Sequence, residues 1–472
     1  MSRDIHFLNH TSFVLEYDSY FLLLDPWPSE SLAFESWKPN PPCFLNENLL
    51  SAFINASKSK AGIVISHGHD DHCDDSFLKK ISPSTNVFYP NYKSKGSLRR
   101  LHGNGLDKVT EINSLDFVNF GPFSMSTFII KEHSHDDAVF IIKTDQYVLV
   151  HANDNSVPFP QVLIDFIILE AAEKKIYFAS QTGIANGYPY CYPQFMEDKG
   201  INAMEDVVIG KTTRTIQVAI DNAIAVDAKN FITYAAYTIS IPLLEKFKGS
   251  VQQFFPSPAN IDCLDLKWGD LKLLDFVPGD SLQTADDEIR RPFWMKAHGI
   301  EKIAAELKVN IEQTLVPFNG RFKDELARLP EVNSEELLIH LKNYLDGFYK
   351  HVSKLENFWK DEIVNKTLLF RVTDVGEVCI DLRNGVYLSE PYDIKINKKI
   401  EIEREVLLLM VAGVFNFESL YIGHHAIFER YPMEKYNHEL MMQLQVYGYI
   451  YQKRMVPEEF VPIKQKARAV NK

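Results

Sequence analysis

The sequence predicts an α+β protein built from two unlike parts. Three observations lead there. The opening stretch alternates short apolar runs with polar breaks, as paired strands do. Further on, apolar runs stop abruptly at loops crowded with His and Asp. Past residue 330 the apolar spacing turns helical and then returns to short strands. Residues 1–330 are therefore expected to form one domain, which carries the chemistry, and residues 331–472 an α+β accessory domain.

Taken in order, residues 5–8, 13–17 and 20–24 read as three strands, broken at Asn9-His10 and Asp18-Ser19 and closed by Asp25-Pro26-Trp27. His10 is expected either to bond backbone in its turn or to support a nearby site. Residues 28–58 hold four more prolines and little periodicity. A loop of that length is expected to cover one side of a pocket. Residues 63–65 form a short buried strand, 77–81 a helix and 87–89 the next strand. Strands follow at 123–130, 138–142 and 147–150. The first of these ends in Lys131-Glu132-His133-Ser134-His135-Asp136-Asp137, and the last ends at His151-Ala152-Asn153-Asp154. His151 is expected to face solvent. Tyr188, Tyr190 and Tyr192 alternate and are expected to pack as a ladder along an extended segment. Lys211 and Arg214 read as surface charge. Pro278-Gly279-Asp280 reads as a turn, residues 231–237 as another strand, and Arg290-Arg291 after Asp286, Asp287 and Glu288 as a solvated helix end.

The densest chemistry is in residues 63–75, I-V-I-S-H-G-H-D-D-H-C-D-D. The strand ends at Ser66, and His67, Gly68, His69, Asp70, Asp71 and His72 follow at once. Side chains just past a strand end are held in fixed directions. Only 15 His occur in the 472 residues, yet three fall in six positions with a carboxylate among them. Imidazole and carboxylate are ligands for zinc, iron or manganese. His67 and His69 suit one ion, and Asp71 and His72 a neighbour ~3.5–4 Å away.

This H-x-H-x-D-H motif after an apolar strand resembles the metallo-β-lactamase superfamily. The resemblance implies an αββα sandwich of two mixed sheets with helices outside and metals at one edge. It also implies one metal on His67, His69 and a later His, and a second on Asp71, His72 and a last His, with a later Asp bridging both. His133 matches the third ligand, with His135 as its rival, and Asp154 matches the bridging Asp. N-H-T-S-F-V-L-E followed by L-L-L-D-P-W is similar to the opening hairpin of the lactonase-like branch, which puts His10 and Asp25 near the metal edge. No His occurs between His151 and His298, so the last ligand has no counterpart in the strand at 231–237.

Composition narrows the classes. Hydrophobic content of 46% and charged content of 24% are those of a globular protein. A net charge of −13 with no basic run argues against a phosphate backbone as partner, so no nucleic acid is expected. No apolar run approaches ~20 residues, so no membrane span is expected. Nor does an apolar core follow a charged N-terminal segment, so a signal peptide is not expected either. Cys43, Cys73, Cys191, Cys263 and Cys379 are few, odd in number and scattered. They read as reduced thiols, and a cytoplasmic location follows. None forms C-x-x-C or C-x-H, so there is no iron–sulfur or Rieske signature.

A closer resemblance rests on F-A-S-Q-T-G-I-A-N-G-Y-P, on N-F-I-T-Y-A-A-Y, and on L-Y-I-G-H-H-A-I-F-E-R-Y-P-M-E-K-Y-N-H. These look like the body of the CMP-N-acetylneuraminate hydroxylase family, without its Rieske domain. The resemblance implies a non-haem oxygenase with one or two iron ions, acting on a small polar substrate and drawing electrons from a separate ferredoxin-type donor. In the alternative, a zinc-dependent hydrolase of an ester, lactone or phosphoester, Asp71 orients the attacking water. A third reading is a non-catalytic metal-binding subunit of a redox complex.

In the C-terminal part, Leu337, Leu341, Tyr344 and Phe348 lie at helical spacing after a start at Ser334. Short strands at 367–373, 378–382 and 386–388 follow, with Asn384-Gly385 as a hairpin turn. I-E-I-E-R-E-V-L-L-L-M-V-A-G then passes from strand to helix. The order resembles a sterol-carrier-type module, for which the resemblance implies packing, homodimer formation or cover for the active site. His424, His425 and His438 are not expected to bind metal together, since adjacent strand residues point to opposite sides.

Overall fold

The computed structural model describes residues 3–29, 31, 36–40, 53, 60–131, 136–185, 187–247, 257–258, 260–292, 302, 305, 322–354, 365–388, 395–432 and 438–452. The chain divides into two compact units. One comprises residues 1–184, 208–244 and 249–315, the other residues 185–207, 245–248 and 316–472.

The first unit is a sandwich of two mixed sheets. One has eight strands in the spatial order Glu288–Arg290, Ser281–Gln283, Arg3–Phe7, Phe13–Tyr17, Tyr20–Leu24, Ala61–Val64, Asn86–Pro90 and Val109–Ile112. The other has seven, in the order Lys272–Leu273, Asn230–Tyr234, Lys175–Gln181, Tyr147–His151, Asp137–Lys143, Phe123–Lys131 and Val118–Phe120. Strand alternation sorts the side chains into layers. In Asp137–Lys143, Phe140 and Ile142 enter the core between the sheets, with Phe13, Leu15, Tyr147, Leu149 and Tyr234. Val139 and Ile141 point the other way, against Leu163, Ile167 and Ala171 of the helix Gln161–Ala171 and Ile216 and Ile220 of the helix Ile201–Ala225. A strand covered on both faces must be apolar nearly throughout, which explains the run A-V-F-I-I. Across the sandwich, Ile63, Val87 and Tyr89 pack outward on Phe77, Leu78 and Leu101 from the helices Asp75–Leu78 and Gly96–Gly103. The layers run helix, sheet, sheet, helix, as expected.

Several expectations need correction. Residues 288–290 are not a helix end. They pair as a hairpin with Ser281–Gln283 because the turn at Asp287, with φ +61°, reverses the chain. Arg291 then grips the buried Asp280 carboxylate, Nη2 to Oδ2 at 2.8 Å. His151 does not face solvent. Its strand is internal to the seven-stranded sheet, and its ring is buried against Tyr234, with centroids 4.8 Å apart. Tyr188, Tyr190 and Tyr192 do pack, but from a turn rather than an extended segment.

The second unit centres on a five-stranded sheet in the order Gly385–Tyr387, Gly376–Asp381, Thr367–Val372, Lys398–Ile402 and Ala426–Arg430. The helix Ser334–Val352 starts at Asn333, whose side chain accepts the Glu336 N–H while the Glu336 carboxylate accepts the Asn333 N–H. This reciprocal cap satisfies two backbone donors. Leu337, Leu341, Tyr344, Leu345 and Phe348 form its buried stripe. His424 and His425 are buried in the turn after Phe417–Ile422, not on a strand. Cys73, Cys191, Cys263 and Cys379 form no disulfide among the described residues, while Cys43, like most of residues 28–58, lies outside them. Among the described residues no helix is long and apolar enough to cross a membrane.

Lys398 and Arg430 are register partners on adjacent strands, and both are buried. Burial, with Arg430 opposite, pulls the Lys398 ammonium down to about 7. The unfolded chain keeps that proton up to ~10.4. Between pH 7 and pH 10 the unfolded state therefore binds more protons, and stability rises with pH by at most ~1.4 kcal/mol per unit. Lys398→Met removes this linkage. The variant is expected to melt above wild type at pH 7, with a margin that narrows toward pH 10. Thermal unfolding at both pH values checks this, and a widening margin would contradict it.

Candidate metal centre

The site forms where strands of both sheets end. After Ala61–Val64, the Ile65 N–H still bonds the Phe88 carbonyl at 3.0 Å. The chain then leaves the sheet and closes on itself, with the His72 and Cys73 N–H groups donating to the His69 carbonyl at 3.1 and 2.9 Å. Arg100 ties this loop down. Its guanidinium donates to the Gly68 carbonyl at 2.6 Å and to the carboxylates of Asp70 at 2.8 Å and Asp75 at 2.7 Å. Asp154 comes from the other sheet, just past Tyr147–His151. There Asn153 takes a φ of +51°, and the Gln181 amide donates to the Asp154 carbonyl.

The structure brings His67, His69, Asp71, His72 and Asp154 together. Asp154 Oδ2 lies 3.6 Å from His67 Nε2 and 3.7 Å from His69 Nδ1, and its Oδ1 lies 3.5 Å from His72 Nε2. Asp71 Oδ2 is also 3.5 Å from His72 Nε2. His67 Nε2 and His69 Nδ1 are 2.8 Å apart. Asp70, within the motif, turns away to Arg100. His133 and His135, the two rivals for the third ligand, lie outside the described residues, as does His298.

The imidazoles are oriented from behind. The buried Asp25 carboxylate accepts the Ser66 N–H at 2.7 Å, the Ser66 hydroxyl at 2.8 Å and His72 Nδ1–H at 3.0 Å. With its own proton given to Asp25, the Ser66 hydroxyl accepts from His67 Nδ1 at 2.9 Å. One carboxylate and one hydroxyl therefore turn both rings so that each Nε2 faces the site, where a metal can take the place of its proton. The Tyr234 hydroxyl adds a contact to His72 Nδ1 at 3.3 Å. Sequence reasoning placed Asp25 near this edge but did not find Ser66 or Tyr234.

Does a cation fit? His72 Nε2 is buried, makes no hydrogen bond among the described residues, and faces one oxygen each of Asp71 and Asp154. A buried ring nitrogen aimed between two carboxylates is what a metal site requires. Ligand atoms of His67, His72 and Asp154 all lie within 4.8 Å of one another. The charge balance agrees. Burial disfavours a charged His72, yet the carboxylates of Asp71, Asp154 and Asp25 hold its pKa well above the usual histidine value. Burial likewise pushes Asp154 up, and the His72, His69 and His67 rings overcome it, keeping the carboxyl well below its usual range. The pocket demands positive charge, which a proton on His72 or a metal ion supplies.

His10 also enters this pocket. Burial pulls its imidazole down to about 4, so it is neutral at pH 7. Its backbone partner lies outside its own turn: Nδ1 accepts the Tyr237 N–H at 3.0 Å, and Nε2 stands 3.7 Å from Asp71 Oδ2. The missing last His belongs to this same region. Asn230–Tyr234 ends in a turn with Ala235 at φ +56°, and the turn spends its backbone N–H groups on His10 instead of offering a ring of its own.

Residues 4–162 match the beta-lactamase superfamily domain. No curated protein matches the chain significantly. Among solved structures, Igni18, a metallo hydrolase from Ignicoccus hospitalis KIN4/I, is 14% identical with a TM-score of 0.36, covering 60% of this chain and 98% of that one. CmlA, a diiron β-hydroxylase from Streptomyces venezuelae, is 15% identical with a TM-score of 0.35 over 56% of this chain and 50% of its own. An isothiocyanate hydrolase from Delia radicum gut bacteria is 9% identical with a TM-score of 0.35, covering 59% and 98%. The chain thus spans about half of CmlA.

Asp25→Asn keeps the shape of the pocket's support but removes the charge that fixes His72. Outer partners of this kind are worth ~10–100-fold in metal affinity. A loss in that range is expected in chelator competition, with the thermal midpoint measured alongside. An unchanged affinity would refute the role given to Asp25.

Proposed function

We propose that the chain is a metal-dependent oxygenase that takes iron among His67, His69, Asp71, His72 and Asp154 and hydroxylates a small polar substrate. The observation that carries the proposal is the donor set. Nε2 of His67 and His72 and the Asp154 carboxylate converge as two imidazoles and one carboxylate, a combination suited to non-haem iron. When bound, the iron supplies redox chemistry with dioxygen. The chain's own part is positional. Asp25 and Ser66 hold the His67 and His72 rings, and Arg100 holds the loop that carries them. The Asp71 carboxylate, beside His72 and His10, receives a proton or orients a water at the site. Electrons come from a separate ferredoxin-type donor, in keeping with the resemblance of residues 420–438 to the CMP-N-acetylneuraminate hydroxylase family.

A hydrolase is the second reading, favoured by the match of residues 4–162 to the beta-lactamase superfamily domain. There the metal would be zinc, and Asp71 would orient the attacking water, whose pKa a catalytic zinc lowers to ~7.

Metal analysis of protein purified with and without air separates the two. For an oxygenase, iron is expected to co-purify, and dioxygen uptake is expected to need a reduced ferredoxin. Zinc alone, with turnover of an ester or lactone in the absence of reductant, would overturn the oxygenase reading. His69→Ala is expected to lower metal content in either case, whereas His425→Ala is not.

A further inference from the structure

The sequence leaves one coordination role unfilled, and His10 is the described imidazole best placed to be mistaken for it. Its ring lies in the same pocket, and Nε2 is 3.7 Å from Asp71 Oδ2. Its other nitrogen decides the matter. The Tyr237 backbone N–H points at Nδ1 from 3.0 Å. A backbone amide can only donate, so Nδ1 carries the lone pair, and in the neutral ring the proton is on Nε2. The nitrogen that faces the site is therefore an N–H group, with no lone pair to give a metal.

Three contacts keep the ring from turning over. The Ala235 N–H donates to the His10 carbonyl at 2.6 Å, fixing the backbone. The ring meets the Trp27 indole edge-on, with centroids 5.5 Å apart at 89°. It is also buried, so a flipped ring would leave the Tyr237 N–H facing a second N–H. The neighbouring residue works on the same target: the Thr11 hydroxyl donates to the Asp71 carbonyl. The short loop between Arg3–Phe7 and Phe13–Tyr17 thus holds Asp71 at its backbone and faces its carboxylate with a donor.

We propose that His10 is a positioning residue for Asp71 and not a metal ligand: its Nε2–H is directed at the Asp71 carboxylate and aims that carboxylate into the site. This rests on the metal-centre reading above. The loop supplies an N–H where the resemblance expects a fifth imidazole, so the side of the site that holds Asp71 and His72 takes its ligands from carboxylates and His72 alone among the described residues.

The test is nitrogen NMR on protein labelled at histidine, metal-free and then titrated with Zn²⁺. His10 is expected as the Nε2–H tautomer throughout, while His67 and His72 shift to metal-bound positions. A metal-bound shift at His10 Nε2, or an Nδ1–H tautomer, would overturn this inference alone. No shift at His67 or His72 would overturn the metal centre and this inference with it. Variants give a second readout. His10→Phe keeps the packing on Trp27 but has no N–H, and is expected to weaken Zn²⁺ binding ~10-fold at unchanged stoichiometry. His10→Gln, which restores a donor, is expected to recover most of that loss. Loss of one equivalent of metal in both variants would mean that His10 is a ligand.

Discussion

Everything at the site depends on a charge imbalance buried where strands of the two sheets end. Asp25, Asp71 and Asp154 surround His72; His72 and Asp25 are buried, and Asp71 and Asp154 are half-buried at the mouth of the site. Each buried ion costs several kcal/mol unless it is paired. Three carboxylates on one imidazole leave negative charge over even when the ring is protonated. A fold does not gather such groups for stability, since apolar residues of the same size would serve better. A cation at the His72 Nε2 face would offset that cost, and the sandwich is what brings the groups there. The His67–His72 loop leaves one sheet, and Asp154 leaves the other.

Support for the site is layered in the same way. Arg100 makes two hydrogen bonds into the loop and a third to Asp75 just past it, from the helix outside one sheet. Asp25 and Ser66 work from within the sheet and fix ring tautomers. The turn after Asn230–Tyr234 works from the opposite sheet through backbone amides. With the rings held from several sides, little reorganisation is left for the moment an ion arrives, and that is how a scaffold makes a site precise.

Much of the fold was legible because its signals are local. Apolar runs marked the strands at 13–17, 20–24 and 147–150 within a residue or two, and the helix began at Ser334 as its spacing said it would. The loop at His67–His72 was legible because ligands that share an ion sit close in sequence. What could not be read depends on pairing between distant segments. Ser66 looks like an ordinary strand-end serine until Tyr20–Leu24 is laid beside Ala61–Val64, bringing Asp25 next to it. His10 gains its partner only because Ala235 adopts a left-handed φ, and alanine gives no warning of that, as glycine or asparagine would. The hairpin at 281–290 was misread for a similar reason. Its acidic cluster looks like a helix end, and only the turn geometry at Asp287 shows that the chain doubles back.

The central claim is that groups from both sheets grip one cation. Anomalous scattering at the iron edge, from crystals grown with Fe²⁺ under anaerobic conditions, tests it most directly. A peak ~2.0–2.2 Å from His67 Nε2, His72 Nε2 and an Asp154 oxygen is the expected result. Well-ordered density for these side chains with no anomalous peak between them, or a peak elsewhere in the chain, would contradict it.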